Sequence, residues 1–229
     1  MAAGQVVLQR TKRAKRPYGM TEQVINELKK RGKPTTGAKE LAHAIYAVIE
    51  NMVPKAKAVR DFLERLFALC GKHKPLRWSS ALSMPIINCY HKPKKERIPV
   101  SINGRRRRMN VITGDLDVIS AVDAKDAVTA NFVHSVDAAH LQLVALAADE
   151  VKIGMMSVHD CFGTIAPHAG RLNEIIREQF VRLHKRHNLL NEVRESARRD
   201  LLKRAELPPL PEIGDLELDE IPGSFHAFK

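Results

Sequence analysis

Between Ile153 and Ile165 two short runs of apolar and β-branched residues enclose the pair His159-Asp160, with Gly163 just beyond it. Such runs read as strands, and the polar break between them reads as a turn. A carboxylate carried at that turn has its oxygens free to ligate a hard divalent cation. Magnesium is held by one or two carboxylates plus substrate phosphates, so a single well-placed aspartate can be half of a protein's contribution to a site. The segment by itself equally fits an ordinary turn aspartate beside an exposed histidine. Its company upstream is Asn131-Phe-Val-His134-Ser135, followed by Asp137 and His140.

These residues need elements to carry them. Thr21 to Arg31 reads as a short helix capped by Thr21 and stopped by Gly32. From Ala38 to about Leu69 apolar residues recur at helical spacing, among them Leu41, Ile45, Val48, Val59, Phe62 and Leu66, with Pro54 kinking or splitting the helix and Gly71 ending it. Lys72 to Gly114 is less regular, with strand-like pieces at Ser83–Tyr90, Ile98–Ile102 and Asn110–Thr113 separated by basic turns. Asp123 to Glu150 is helical, read as two helices meeting near His134-Ser135. After the hairpin, Ala169 to His187 carries Leu172, Ile175, Ile176, Phe180 and Leu183 on one face, and a further helix runs from about Leu189 to Ala205. Pro208, Pro209 and Pro211 then open an irregular tail that closes on Phe225-His-Ala-Phe228. The fold class is α+β, mostly helical, with a small hairpin surrounded by helices.

Composition narrows the function classes. The chain of 229 residues is long enough for one large domain or two small ones with a real core. Its 38 Lys+Arg against 26 Asp+Glu leave a formal charge of +12, which suits a polyanionic partner and says nothing about fold. Cys70, Cys89 and Cys161 lie far apart without C-x-x-C spacing, so neither a disulfide framework nor a zinc knuckle is indicated. No apolar run approaches the roughly 20 residues that span a bilayer, and no signal peptide opens the chain. The expectation is a soluble cytoplasmic protein with no membrane partner.

Asn131-Phe-Val-His134-Ser135-x-Asp137-x-x-His140-Leu141, followed by His159-Asp160-x-Phe162-Gly163-Thr164-Ile165, resembles the C-terminal part of single-subunit DNA-directed RNA polymerases of the phage and mitochondrial type. The aromatic chain end after a Pro-rich stretch fits as well. So do the basic run before Tyr18-Gly19, which resembles the end of the family's fingers helix, and Trp78, Pro85 and Tyr90. The resemblance covers roughly Arg10 to Lys229. It implies part of a right-hand polymerase fold: residues 1–122 as the C-terminal part of the fingers, 123–206 as the second half of the palm with its catalytic β-hairpin, and 207–229 as the C-terminal tail.

The implied chemistry is template-directed ribonucleotidyl transfer, in which two magnesium ions stabilise the attacking and leaving oxygens. The implied partners are a DNA template, an RNA product and ribonucleoside triphosphates. The resemblance makes Asp160 the second of two palm aspartates. The first belongs to a motif of Asp before a Gly/Ser-rich turn and a helix, and Asp115, Asp117 and Asp123 lack that context. The expectation is a chain that begins inside the fingers, with the first aspartate and N-terminal half on a second chain of a split enzyme, or else a truncated remnant.

Further roles come from the same resemblance. Tyr18 resembles the tyrosine beside the incoming sugar that selects ribose. Arg10 by ungapped counting, or Lys12 or Arg13 after a local deletion, matches the cation on the triphosphate. His159 positions the primer terminus, and His134 sits at the minor groove of the template–product hybrid. Arg105, Arg106, Arg107 and Arg108 read from charge alone as either a lining for nucleic-acid phosphates or a solvated loop. Three alternatives stand beside this reading. A family A DNA polymerase fragment shares Tyr-Gly and His-Asp, but Glu usually follows the His-Asp pair there, and here Cys161 does. A catalytically inactive nucleic-acid-binding remnant would explain the missing aspartate. A basic structural protein of a ribonucleoprotein would explain the charge but not the ordered motifs.

Overall fold

A computed structural model describes residues 16–70, 74–102, 105–158, 161–201, 206–224 and 227–228. Among the described residues three α-helices precede two antiparallel strand pairs, and a fourth helix, a third strand pair and two further helices follow. Helix α1 (Arg16–Lys30) and helix α2 (Ala38–Met52) form a pair at one edge. Gly32 ends α1 in the left-handed conformation (φ 64°), its N–H bonded to Lys29 O at 3.1 Å and the Lys33 N–H to Leu28 O at 2.9 Å. That pattern is a Schellman cap, in which glycine takes the left-handed step without a Cβ penalty. Thr21 is not a cap, because helix already runs through it from Arg16.

Helix α3 (Pro54–Cys70) follows after one intervening residue, so Pro54 splits the long apolar segment. Proline serves well as a first helical residue because that N–H has no partner to lose. Phe62, Leu63, Leu66 and Phe67 of α3 enter the main core. Against them lies a small sheet of β1 (Leu76–Ser79) and β2 (Pro85–Asn88), with Leu76 paired to Asn88 and Trp78 to Ile86. Alternation decides which side is buried: Leu76 and Trp78 face inward, Arg77 and Ser79 outward. The predicted strand at Ser83–Tyr90 starts only at Pro85, since Ser80 and Ser83 shape a tight turn before it and Ser83 is left-handed (φ 61°).

Strands β3 (His91–Ile102) and β4 (Arg105–Ile119) form one long two-stranded ribbon that, among the described residues, packs on other elements only at its root, where Ile119 meets the main core. The expected short strands Ile98–Ile102 and Asn110–Thr113 are its middle. The expected basic turn is corrected: Arg105–Arg108 belongs to β4, paired with Ile102, Ser101, Val100 and Pro99. An uninterrupted ladder overrides the turn reading of a polar run. The ribbon's ends meet at a neck, where Ser120 N–H donates to Tyr90 O at 2.6 Å.

Helix α4 (Ala121–Glu150) is one continuous element of 30 residues, not two helices meeting at His134-Ser135. The β-branched and polar residues there suggest a break, but each finds a use that keeps the helix intact. Ser135 Oγ donates back to Phe132 O at 2.6 Å, and the Asn131 amide bonds outside the helix. Ser120 caps α4, its Oγ accepting from the Asp123 N–H at 3.5 Å while donating to Asp123 Oδ2 at 2.6 Å. At a rise of about 1.5 Å per residue the helix is roughly 45 Å long, and it crosses two cores. Ala124, Val128 and Phe132 belong to the main core with α3, β1 and α6 (Leu189–Asp200); Val144 and Ala148 belong to a second.

The second core is completed by Ile153 and by Leu172, Ile175 and Ile176 of α5 (Ala169–Arg186). The hairpin strands β5 (Met156–Val158) and β6 (Cys161–Gly163) lie over it, with Met155 and Phe162 packed against it. Helix α6 returns to the main core through Val193 and Ala197; residues 202–205, to which the sequence extends it, lie outside the described residues. The tail crosses back over the helices: Arg194 Nε donates to Pro208 O at 3.0 Å, Lys55 meets Glu212 at 2.8 Å, and a 3₁₀ turn at Leu218–Gly223 packs on α5.

Candidate functional site

The hairpin has the shape the sequence implies. Met156 pairs with Gly163, Ser157 with Phe162 and Val158 with Cys161, so two residues, His159 and Asp160, connect the strands. Both lie outside the described residues. Thr164 Oγ1 donates to Gly154 O at 2.7 Å and closes the open end of the hairpin. At Gly163 the strands approach so closely that a Cβ would stand 3.0 Å from Met156 Cγ, a separation that glycine accommodates.

Beside the hairpin lies a cleft of about 730 Å³, lined by His134, Asp137, His140, Phe162 and Phe228 among others. His134, exposed on α4, is thus brought within one cleft wall of the strand that follows Asp160. His140 is different. It is 8% exposed, and its Nε2 lies 2.9 Å from Ile176 O on α5. Burial pushes its pKa down from the ordinary value, only partly offset by that carbonyl. Sequence reasoning does not show that Phe162, Phe180 and Phe228 all gather on the His140 ring. Three phenylalanines so far apart in sequence carry no local signal.

The structure also divides the Asn131–Ser135 motif. Asn131 is buried, and its Nδ2 donates to Asn88 Oδ1 at 2.7 Å and Tyr90 Oη at 3.1 Å; Asn88 Nδ2 donates to Ala124 O at 2.9 Å. Ser135 Oγ accepts from Trp78 Nε1 at 3.1 Å. Those residues tie α4 to the β1–β2 sheet and the root of the ribbon. Only His134, with Val133 beside it, is turned to solvent.

The remaining candidates fall elsewhere. Tyr18 lies in the first turn of α1, its side chain outside the described residues, as are Arg10, Lys12 and Arg13. Arg106, Arg107 and Arg108 are exposed on β4. The register places Arg106 and Arg108 on one ribbon face with Lys95 and Arg97, while Ile98, Val100, Met109 and Val111 share the other. Among the described residues no group of three His, Cys, Asp or Glu side chains is placed to hold a metal ion, and no helix is long and apolar enough to cross a membrane.

Residues 15–207 match the family described as DNA-dependent RNA polymerase. The chain is 28% identical over 228 residues to the mitochondrial DNA-directed RNA polymerase 1 of Nicotiana sylvestris, covering 92% of this chain and 22% of that one. It is 29% identical over 226 residues to the chloroplastic/mitochondrial DNA-directed RNA polymerase 2 of Arabidopsis thaliana, covering 92% and 21%. It is 30% identical over 160 residues to DNA-directed RNA polymerase 1A of Nicotiana tabacum, covering 69% of this chain and 97% of that one. The chain spans about a fifth of the length of the first two.

Proposed function

Because the chain belongs to the DNA-dependent RNA polymerase family, we propose that it forms the C-terminal part of a template-directed ribonucleotidyl transferase acting on a DNA template with ribonucleoside triphosphates. The observation that carries the reading is the two-residue connection of β5 and β6. Val158 pairs with Cys161, the residues on either side of His159-Asp160 in the sequence, inside a chain of this family, and this supports the reading of Asp160 as the hairpin's carboxylate. In this proposal residues 1–122 belong to the fingers of a right-hand fold, 123–206 to the palm and 207–229 to the tail.

The donor set suits magnesium, a cation served by carboxylate oxygen and substrate phosphate. Asp160 supplies one carboxylate, and the second comes from the upstream part of the polymerase, on the same or another chain. Magnesium, when bound, supplies charge that stabilises the attacking and leaving oxygens. The chain's own residues bind and orient. His159 sets the primer terminus, and His134, from its exposed place on α4, reaches the minor groove of the hybrid. Tyr18 senses the ribose, with a cation at Arg10, Lys12 or Arg13 on the triphosphate. Arg105 to Arg108 meet nucleic-acid phosphates from the ribbon. The working compartment in this reading is the cytoplasm, although the relatives above are named mitochondrial and chloroplastic.

The test is a polymerase reconstituted from this chain and the upstream portion of a relative. The chain alone should not extend a primer, because one carboxylate cannot hold two metal ions, and the upstream portion should restore extension. Asp160→Asn should then abolish nucleotide addition while template binding stays nearly unchanged. A variant that keeps even a few per cent of wild-type extension overturns the role of Asp160. Tyr18→Phe should relax the choice of ribonucleotide over deoxyribonucleotide, which separates this reading from a family A DNA polymerase.

A further inference from the structure

We propose that His140 is a positioning residue for the β5–β6 hairpin, the post against which helix α5 and the C-terminal tail hold the strand that follows Asp160. The catalytic half of this inference rests on the role proposed for Asp160; the mechanical half does not.

Four contacts define the post. The His140 ring meets Phe162 of β6 edge-on at 5.9 Å and 69°, and Phe180 of α5 edge-on at 5.6 Å and 82°. Phe228 of the tail lies across it at 5.5 Å and 42°, and Phe228 also meets Phe180 at 5.2 Å. Nε2–H donates to Ile176 O at 2.9 Å, which fixes the ring's rotation. Edge-on and tilted aromatic pairs at these separations are attractive in particular orientations, so a ring fixed on one side orients the rings on the others.

The tail is fastened at several points. Arg177 on α5 donates through Nη2 to Ala227 O at 3.1 Å and through Nη1 to Pro222 O at 3.0 Å, and Asn173 Nδ2 donates to Phe228 O at 3.2 Å. Phe228 holds a left-handed backbone (φ 55°), a conformation that a bulky residue adopts only when its surroundings impose it. Three segments far apart in sequence, at residues 162, 180 and 228, therefore converge on one imidazole.

A phenylalanine at 140 would fill the same space but could not bond Ile176 O. The imidazole is needed for the bond, and burial favours its neutral form. Asp137 on the same helix and His184 on α5 are the titratable groups that act on it, with opposite signs. Phe162 is two residues from Asp160, so a loosened Phe162 shifts the carboxylate without removing anything from it.

Two measurements test this. The first needs no polymerase activity: amide hydrogen exchange in the full chain for the wild type, His140→Phe, His140→Gln and Phe228→Ala. Faster exchange confined to β5, β6 and the tail in His140→Phe, with α3 and α6 unchanged, is the expected result. His140→Gln, which keeps an N–H donor, should restore part of the protection. Wild-type exchange at β5 and β6 in both His140→Phe and Phe228→Ala overturns the proposal. The second uses the reconstituted polymerase. His140→Phe should lower kcat by about tenfold or more with KM for the nucleotide nearly unchanged, since a misplacement near 1 Å is costly on that scale. An unchanged kcat overturns the link to catalysis. An active Asp160→Asn enzyme would instead overturn the proposed function and leave the exchange result standing.

Discussion

Strands β3 and β4 run for 12 and 15 residues, whereas β5 and β6 have three residues each. Along the ribbon almost every described side chain is exposed, including Met109, Ile112 and Val118, and among the described residues little packs over either face away from its root. The short hairpin exposes Met156 and Val158 yet lies over a core, with Phe162 turned onto His140. A three-residue ladder cannot hold itself in water, so its shape comes from what lies beneath. The ribbon draws on a long ladder and on prolines and lysines that discourage edge-to-edge pairing. In the proposed reading, the surface that meets nucleic acid is built for reach, and the hairpin that carries the carboxylate is built on packing.

That contrast can be broken most severely from below. Ile175, 1% exposed under the hairpin, should cost about 2–5 kcal/mol as Ile175→Ala by denaturant unfolding. Amides of β5 and β6 should lose protection with it while the ribbon's do not, and equal loss in both would erase the distinction. Gly163→Ala is gentler: its Cβ would meet Met156 Cγ, so about 1 kcal/mol is expected, with Met156→Ala relieving it.

Acid gives a smaller effect of known sign. Burial lowers the pKa of His140 below its ordinary 6.5, so the unfolded chain takes up that proton first. The stability contributed by neutral His140 is complete above about pH 6.5 and declines as pH falls toward the folded-state value. A thermal melt series should show this slope, and His140→Phe should flatten it. Smallest on stability is the ribbon: replacing Arg105 to Arg108 with Gln should change it by no more than about 0.5 kcal/mol. Its effect belongs to binding. The dependence of hybrid affinity on salt should flatten by roughly 0.7 to 0.9 in log–log slope for each phosphate no longer neutralised, and an unchanged slope would make the ribbon's charge mere solvation.

What can be read from the sequence follows the same division. Helices with apolar stripes, such as Ala38–Met52, Pro54–Cys70 and Ala169–Arg186, are legible because periodicity is a local property. The hairpin is legible because a two-residue break between β-rich runs is local too. The continuity of α4 is not, because Ser135 and Asn131 are spent on Trp78 and Asn88, partners that no window of sequence contains. Only the middle of the ribbon reads as strand and the rest as basic turns, since a polar two-stranded ladder shows its full pattern only when both strands are set side by side. Within the site, the exposed histidine stands out in the sequence and the buried one does not. His140 matters through Phe162, Phe180 and Phe228, each on a different element.

The neck between Tyr90 and Ser120 has a consequence for how such a chain can change over time. Its two ends are already joined below the ribbon, and Tyr90, Asn88 and Asn131 anchor the root to α4. Lengthening, trimming or exchanging everything between them alters a loop whose closure the core has settled, and doubling such a loop costs only about 0.6 kcal/mol. The arm is therefore a detachable module: descendants can renegotiate its surface without revisiting the two cores beneath it.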